Sequence, residues 1–365
     1  VTHAMMFLMM LGGLAFLVVG AEFLVRGASQ LAAALGVPSL IIGLTVVAFG
    51  TSAPELAVSI QSALAGEADI ALGNVVGSNI CNVLFILGLS ALVTPLIVSK
   101  QLIRIDVPFM IGVSCLLYLL MWDGELSRLD GVVLTIGLIL YTGLQVVLGR
   151  QGDGELEGIL DDEPEKGGQA ALFFRRIVYL VGGFAMLVFG ARWLVDGAVS
   201  LARYLEFSEA VIGLTIVAAG TSMPEAVTSV VASLRGERDI AVGNIVGSNL
   251  FNILSVLGIA SLVSPASIAI PPAMLSFDMP VMLAVAFVCM PIFFTGGVIT
   301  RWEGGILFAY YFAYTIYLVL DAQEHEQLST YGTAMLYFVI PITCLTLVVL
   351  FLRAHRQGPP STEQG

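Results

Sequence analysis

Two glutamates, Glu55 and Glu225, occupy positions where a carboxylate needs a reason to be. Each ends the same short text, GTSAPE at 50–55 and GTSMPE at 220–225, inside an apolar run long enough to cross a bilayer. An ionisable side chain at that depth is expensive and marks an ion or substrate path. No lysine or arginine lies at matching depth, so a bound cation is the natural partner. Thr51 and Glu55 stand four apart on one helical face with Ser52 beside them, and Thr221, Glu225 and Ser222 repeat the arrangement. Pro54 and Pro224 each remove an amide donor, so carbonyls from Ala48 to Thr51 and from Ala218 to Thr221 are expected to lose their usual partners. Carboxylate, hydroxyl and carbonyl oxygens, without nitrogen or sulfur, form the ligand set of Na⁺ or Ca²⁺ rather than of a transition metal. One Ca²⁺ neutralises two carboxylates, as do two or more Na⁺. Competition for the same oxygens would couple the two ions.

The repeated text runs on. GNVVGSN at 73–79 returns as GNIVGSN at 243–249, and most positions of 50–79 are identical to those of 220–249. Asn74, Ser78 and Asn82 are spaced by four, as are Asn244, Ser248 and Asn252, so each trio forms a polar stripe on a helix. Gly73 and Gly77, like Gly243 and Gly247, form an adjoining stripe of small residues that lets helices approach closely.

The elements that must position these residues follow from composition. The chain has 365 residues, of which 58% are hydrophobic and 12% charged, with a mean hydropathy of +0.96; soluble proteins carry roughly a quarter charged residues. It reads as an integral membrane protein. The formal charge of −12 is largely local, concentrated in the acidic stretch 153–165, which reads as a solvated loop. No basic surface for nucleic acid is present. Cys81, Cys115, Cys289 and Cys344 lie in apolar runs without CxxC spacing and read as packing residues, with no disulfide or metal cluster expected. The three histidines sit at segment ends or in the tail, which argues against an intramembrane metalloprotease.

Spanning runs fall near 5–26, 39–65, 70–94, 103–122 and 129–148, then near 175–202, 209–234, 240–263, 273–296 and 302–321, with an extra run at 332–352. The halves correspond beyond the motif: GAEFLVRGA at 20–28 matches GARWLVDGA at 190–198, and DVPFM at 106–110 matches DMPVM at 278–282. The first run is therefore part of a repeat rather than a cleaved signal peptide. Five helices per repeat force the second copy to enter the membrane from the opposite side. The predicted fold is an all-α polytopic membrane protein of two inverted five-helix repeats, ten core helices, plus one extra C-terminal transmembrane helix. The boundaries are 1–149, an acidic cytoplasmic linker at 150–174, 175–322, the additional helix within 323–353 and a disordered tail at 354–365. Lys and Arg concentrate on one side, among them Lys100, Arg104, Arg150, Lys166, Arg175 and Arg176, against Arg128 and Arg203 on the other. That side is the cytoplasm, with the amino terminus outside and the acidic loop and carboxyl terminus inside. Asp106 and Asp278, each near a helix start, read as caps favoured by the helix dipole. Arg26 and Arg192 read as snorkelling side chains at helix ends.

The paired GTSxPE and GNxxGSN segments resemble the alpha repeats of the cation/calcium antiporter superfamily, in its prokaryotic sodium/calcium exchanger branch. The resemblance covers essentially the first 321 residues. It implies a secondary transporter of the cell (inner) membrane rather than an enzyme. Its substrates would be Na⁺ and Ca²⁺, its surroundings the lipid bilayer, and no cofactor would be needed. Carried over by position, Glu55 and Glu225 would coordinate Ca²⁺ with the carbonyls of Thr51 and Thr221. Na⁺ sites would use Ala48, Ser52, Ser78, Ala218, Ser222 and Ser248 with the same glutamates and threonines, and Asn82 and Asn252 would sit at the centre. The first and sixth helices would be the long, sliding pair. Relatives with aspartate at the position of Asn252 include potassium-dependent exchangers, so asparagine here implies no K⁺ requirement. The alternatives are exchange driven by H⁺, transport of another divalent ion such as Mn²⁺, and a gated cation channel with a carboxylate filter. The Thr and Ser hydroxyls favour Na⁺, and the broken-helix repeats favour alternation between two states.

Overall fold

The computed structural model describes residues 3–151, 169–205, 218–294, 296–325, 327–344 and 348. The acidic stretch 153–165, the beginning of the run at 209–234, most of 345–352 and the tail from 354 lie outside the described residues. The described chain is nearly all helix: α1 (His3–Leu35), a broken pair α2 (Ser39–Thr51) and α3 (Ala53–Ala65), α4 (Ile70–Val93), α5 (Leu102–Leu120) and α6 (Arg128–Gln151). The second half supplies α7 (Gln169–Tyr204), the short α8 (Ala218–Thr221), α9 (Met223–Leu234), α10 (Arg238–Val263), α11 (Met274–Phe294) and α12 (Arg301–Ala322). A further helix, α13 (Leu328–Cys344), follows. Among the described residues, eight helices are long and apolar enough to cross a membrane, or nine if the pair α2–α3 counts as one span.

Burial orders these helices. In the most apolar windows of α4 and α10, 78% and 89% of residues are buried, against 6% for α12 and 22% for α6. The two helices that carry the GNxxGSN text therefore form the centre. The outer helices present leucine, isoleucine and phenylalanine outward, as Leu11, Leu140 and Phe174 do, which suits hydrocarbon as the surrounding solvent.

α1 and α7 lie against one another along most of their length. Their contact is made by glycines seven apart: Gly13, Gly20 and Gly27 on α1, and Gly183, Gly190 and Gly197 on α7. A Cβ at Gly20 would sit 2.9 Å from the Gly183 carbonyl, and one at Gly190 would sit 2.8 Å from the Gly13 carbonyl. The order of partners makes the two helices antiparallel. Arg26 and Arg192 are exposed side chains inside these long helices, not at their ends, because α1 runs on to Leu35 and α7 to Tyr204.

Two small features depart from an all-helical reading. β1 (Leu96–Ile97) pairs antiparallel with β4 (Val298–Ile299), and β2 (Glu125–Leu126) with β3 (Ile268–Ala269). Each ladder joins a connection in one half to one in the other, giving the loop amides partners. The arginines nearby cap helix ends. Arg128 donates to the Ser264 carbonyl just beyond α10, and Arg301 donates to the Val93 carbonyl at the end of α4, where a cation meets the negative end of a helix.

Asp106 and Asp278 are not caps. Asp106 is fully buried and accepts from Gln145 Nε2 (2.6 Å), Tyr141 Oη (3.1 Å) and Gln101 Nε2 (3.2 Å). Asp278 accepts from Tyr314 Oη at 2.9 Å. Both end a π-helical turn, Leu102–Asp106 and Met274–Asp278, and the helix is already wound before them. No unpaired helix-start amides remain there to cap, so the carboxylates tie α5 to α6 and α11 to α12 instead.

Candidate cation site

The break in the first motif falls at Ser52. Its backbone sits at φ −81°, ψ 4°, between α2 and α3, which bend by 45°. Ser222 repeats the conformation at φ −87°, ψ 7°, between α8 and α9. This bridge region between helical and extended backbone is sparsely populated and recurs in functional sites. The prolines are the cause, though not by interrupting a helix interior. Pro54 and Pro224 stand in the first turns of α3 and α9, where the missing amide would have no helical partner in any case. The Ala48 carbonyl consequently keeps its helical partner and accepts from the Ser52 amide at 3.0 Å. The break thus turns the chain more than it strips carbonyls. It also places Glu55 and Glu225 in the first turns of new helices, where the positive end of the dipole favours a carboxylate.

The halves interlock through side chains. Ser52 Oγ donates to Glu225 Oε1 at 3.0 Å, and Ser222 stands beside the Glu55 carboxylate in the mirrored position while donating to Ser78 Oγ at 3.2 Å. Thr51 Oγ1 donates to Asn244 Oδ1 at 3.0 Å and lies 3.5 Å from Ser248 Oγ; Thr221 Oγ1 donates to Asn74 Oδ1 at 3.4 Å. Asn74 Nδ2 donates to the Glu55 carbonyl and to Ser59 Oγ, and Asn244 Nδ2 to the Glu225 carbonyl and to Ser229 Oγ. The first members of the two polar stripes therefore brace the glutamate backbones, and the later members reach the centre.

Near that centre lie buried oxygens for which the described residues supply no donor. Glu55 is 0% exposed and Glu225 1%, and the two carboxylates act on one another electrostatically. Both carboxylate oxygens of Glu55, Oε2 of Glu225, and Oδ1 of Asn82 and Asn252 are buried without a hydrogen-bond donor among the described residues. Leaving one buried acceptor unpaired costs about 1–3 kcal/mol, more for a charged group. Five acceptors without a donor are the arrangement expected of a site whose partner is a cation. Asn82 and Asn252 each begin a π-helical turn, Asn82–Leu87 and Asn252–Leu257, a helix distortion that recurs at functional positions. No group of three or more His, Cys, Asp or Glu side chains that could hold a metal ion occurs among the described residues, so a cation here would have two carboxylates and neutral oxygens.

Ala218 lies in α8, four residues before Ser222 as Ala48 lies before Ser52. The small-residue stripe works as expected on one side. A Cβ at Gly247 would sit 2.6 Å from the Leu44 carbonyl, and one at Gly243 would sit 3.1 Å from that of Leu40. Gly73 and Gly77 have no such neighbour among the described residues.

Several participants were not singled out by spacing. Ser59 and Ser229 are identical in both copies, and that identity was the available signal. Asn79 and Asn249 stand in the motif itself but off the four-residue stripe. Met110 and Met282 end the DVPFM and DMPVM echoes. Nothing about a methionine suggested that it would meet an amide.

Comparison with known proteins bears on the family and the fold. The family model described as sodium/calcium exchanger protein matches residues 5–147 and 176–320. The chain is 41% identical over 283 residues to the inner membrane protein YrbG of Escherichia coli, covering 76% of this chain and 85% of that one. It is 35% identical over 348 residues to the sodium/calcium exchanger MaX1 of Methanosarcina acetivorans, covering 86% and 98%. Among solved structures, the sodium-calcium exchanger NCX_Mj superposes with a TM-score of 0.73 at 31% identity, covering 85% of this chain and 98% of that one.

Proposed function

The chain belongs to the sodium/calcium exchanger family, and from that premise we propose that it exchanges Na⁺ for Ca²⁺ across the inner membrane by alternating access, with Glu55 and Glu225 as the shared ligands. The observation that carries this reading is the set of buried oxygens on Glu55, Glu225 (Oε2), Asn82 and Asn252 that no donor among the described residues satisfies. Ca²⁺ is held by the two carboxylates with the carbonyls of Thr51 and Thr221. Na⁺ is held at flanking positions by Ser52, Ser78, Ser222 and Ser248, with the Ala48 and Ala218 carbonyls completing those positions; a carbonyl that accepts one hydrogen bond keeps a second lone pair for a cation. The two ions share carboxylates, so occupancy by one excludes the other. An empty, doubly charged site is too costly to carry across hydrocarbon, and only a loaded site completes the crossing.

The ten core helices are two inverted five-helix repeats, and α13 belongs to an additional span outside them. The matching breaks at Ser52 and Ser222, the matching π-helical turns and the two cross-half ladders support the repeat. The amino terminus is outside and the acidic linker is cytoplasmic, on the Lys/Arg bias. α1 and α7 are the moving pair, supported by their shared glycine seam.

The test is ⁴⁵Ca²⁺ uptake into proteoliposomes loaded with Na⁺, with pH clamped and no external Na⁺. Uptake that depends on internal Na⁺ and disappears in Glu55→Gln and Glu225→Gln is expected. Uptake driven by a pH gradient and indifferent to Na⁺ would replace the reading with proton exchange. Flux that needs no counter-ion would replace it with a channel.

A further inference from the structure

We propose that Asn79 and Asn249 are positioning residues that decide which end of the Asn82 and Asn252 amides faces the transported cations. The inference rests on the cation site proposed above. The two ends of an asparagine amide are nearly equal in size, so neighbours decide its orientation. For these four amides the neighbours leave one solution. Asn249 Nδ2 meets Met110 Sδ at 3.5 Å, and a thioether can only accept. Asn79 Nδ2 meets the Asn249 backbone carbonyl at 3.3 Å and Met282 Sδ at 3.8 Å, which also can only accept. The nitrogen ends of Asn79 and Asn249 are therefore fixed, and their oxygens must point the other way.

Those oxygens meet the next pair. Asn82 Nδ2 donates to Asn249 Oδ1 at 3.0 Å, and Asn252 Nδ2 donates to Asn79 Oδ1 at 3.0 Å. With their nitrogens held, Asn82 and Asn252 leave Oδ1 turned away from the relay, buried and without a donor among the described residues, at residues 1% and 0% exposed. Reversal of either amide would present an NH₂ group, whose positive end repels a cation. Each relay crosses between the halves: Met110 orients Asn249, which orients Asn82, and the Asn249 carbonyl with Met282 orients Asn79, which orients Asn252. Asn79 and Asn249 are assigned no contact with the cation. They act through another residue, so their removal converts a fixed carbonyl ligand into an amide free to turn.

Full-length protein in proteoliposomes tests this with Asn249→Ala, Asn82→Ala and the double variant, and with the matching set at Asn79 and Asn252. Asn249→Ala is expected to raise the KM for Ca²⁺ about tenfold with a much smaller change in maximal rate. The double variant is expected to be no worse than Asn82→Ala alone, because the second change removes an effect already lost. Additive losses, or a fall in maximal rate at unchanged KM, would overturn the proposal and leave Asn249 a packing residue. Met110→Leu conserves volume and fold while removing the accepting sulfur. It is expected to raise the KM two- to threefold, and an unchanged KM would count against the relay even if the alanine variants misfold. Wild type without sodium-dependent calcium flux would remove the cation-site reading itself, an outcome distinct from exchange that ignores Asn249.

Discussion

The Ser52 hydroxyl of one half donates to Glu225 Oε1 of the other at 3.0 Å. The residue at which the first motif breaks thus holds the carboxylate of the second motif, and neither motif is complete alone. A hydrogen bond to a charged group contributes about 1.5–3 kcal/mol. Ser52→Ala is expected to weaken cation affinity roughly tenfold or more, with correct folding retained. Concentration series for Na⁺ and Ca²⁺ in proteoliposomes check this, and the Na⁺ dependence should shift more.

Glu55 carries two buried oxygens with no donor among the described residues. Without ions the protein bears the cost of that charge, so Glu55→Gln is expected to raise the melting temperature in chelator while abolishing calcium exchange. Wild type should gain about 2.7 kcal/mol from Ca²⁺ at a hundred times its dissociation constant, and the variant should gain almost none. Thermal unfolding with and without Ca²⁺ gives both results.

Asn252 has an amide where a carboxylate would add a third buried charge. Calcium exchange by the wild type is expected to run at the same rate in K⁺-free medium as with K⁺ added. A rate that rises severalfold with K⁺ would contradict the role given to this side chain.

Thr300 accepts from the Glu303 amide, and Glu303 accepts from the Thr300 amide and hydroxyl, closing a reciprocal cap at the start of α12. Thr300→Ala is expected to lower stability by about 1 kcal/mol and leave the KM for both cations unchanged. Unfolding and transport measured side by side separate fold from site.

Much of this was legible in the sequence because the chain states it twice. The breaks at Ser52 and Ser222, the buried glutamates and the polar stripes follow from residue type and spacing. The duplicated text removed the ambiguity that one copy would carry. What spacing could not convey was contact across the halves. Thr221 of the second half meets Asn74 of the first, 147 positions away, and no spacing within one copy conveys that. Asp106 looked like a cap because it precedes a proline; its three donors come from α6 and from Gln101, and a π-helical turn moves the helix start upstream. The expectation of freed carbonyls at Ala48 failed for a local reason, since a proline in a first turn costs no helical hydrogen bond. The spacing of glycines by seven in α1 and α7 was visible all along. Spacing alone assigns it no role, because small residues in an apolar run have several ordinary explanations.

That spacing has a geometric consequence. Seven residues rise about 10.5 Å along a helix, so the surfaces of α1 and α7 repeat themselves with that period. At the observed register Gly13 faces Gly190 and Gly20 faces Gly183, and backbone lies against backbone. Between one such register and the next, side chains such as Leu17 and Leu187, both buried in this seam, must ride over the opposing main chain. The seam is therefore a track with evenly spaced notches: it resists small excursions of one helix along the other and offers its next resting place a full tooth away.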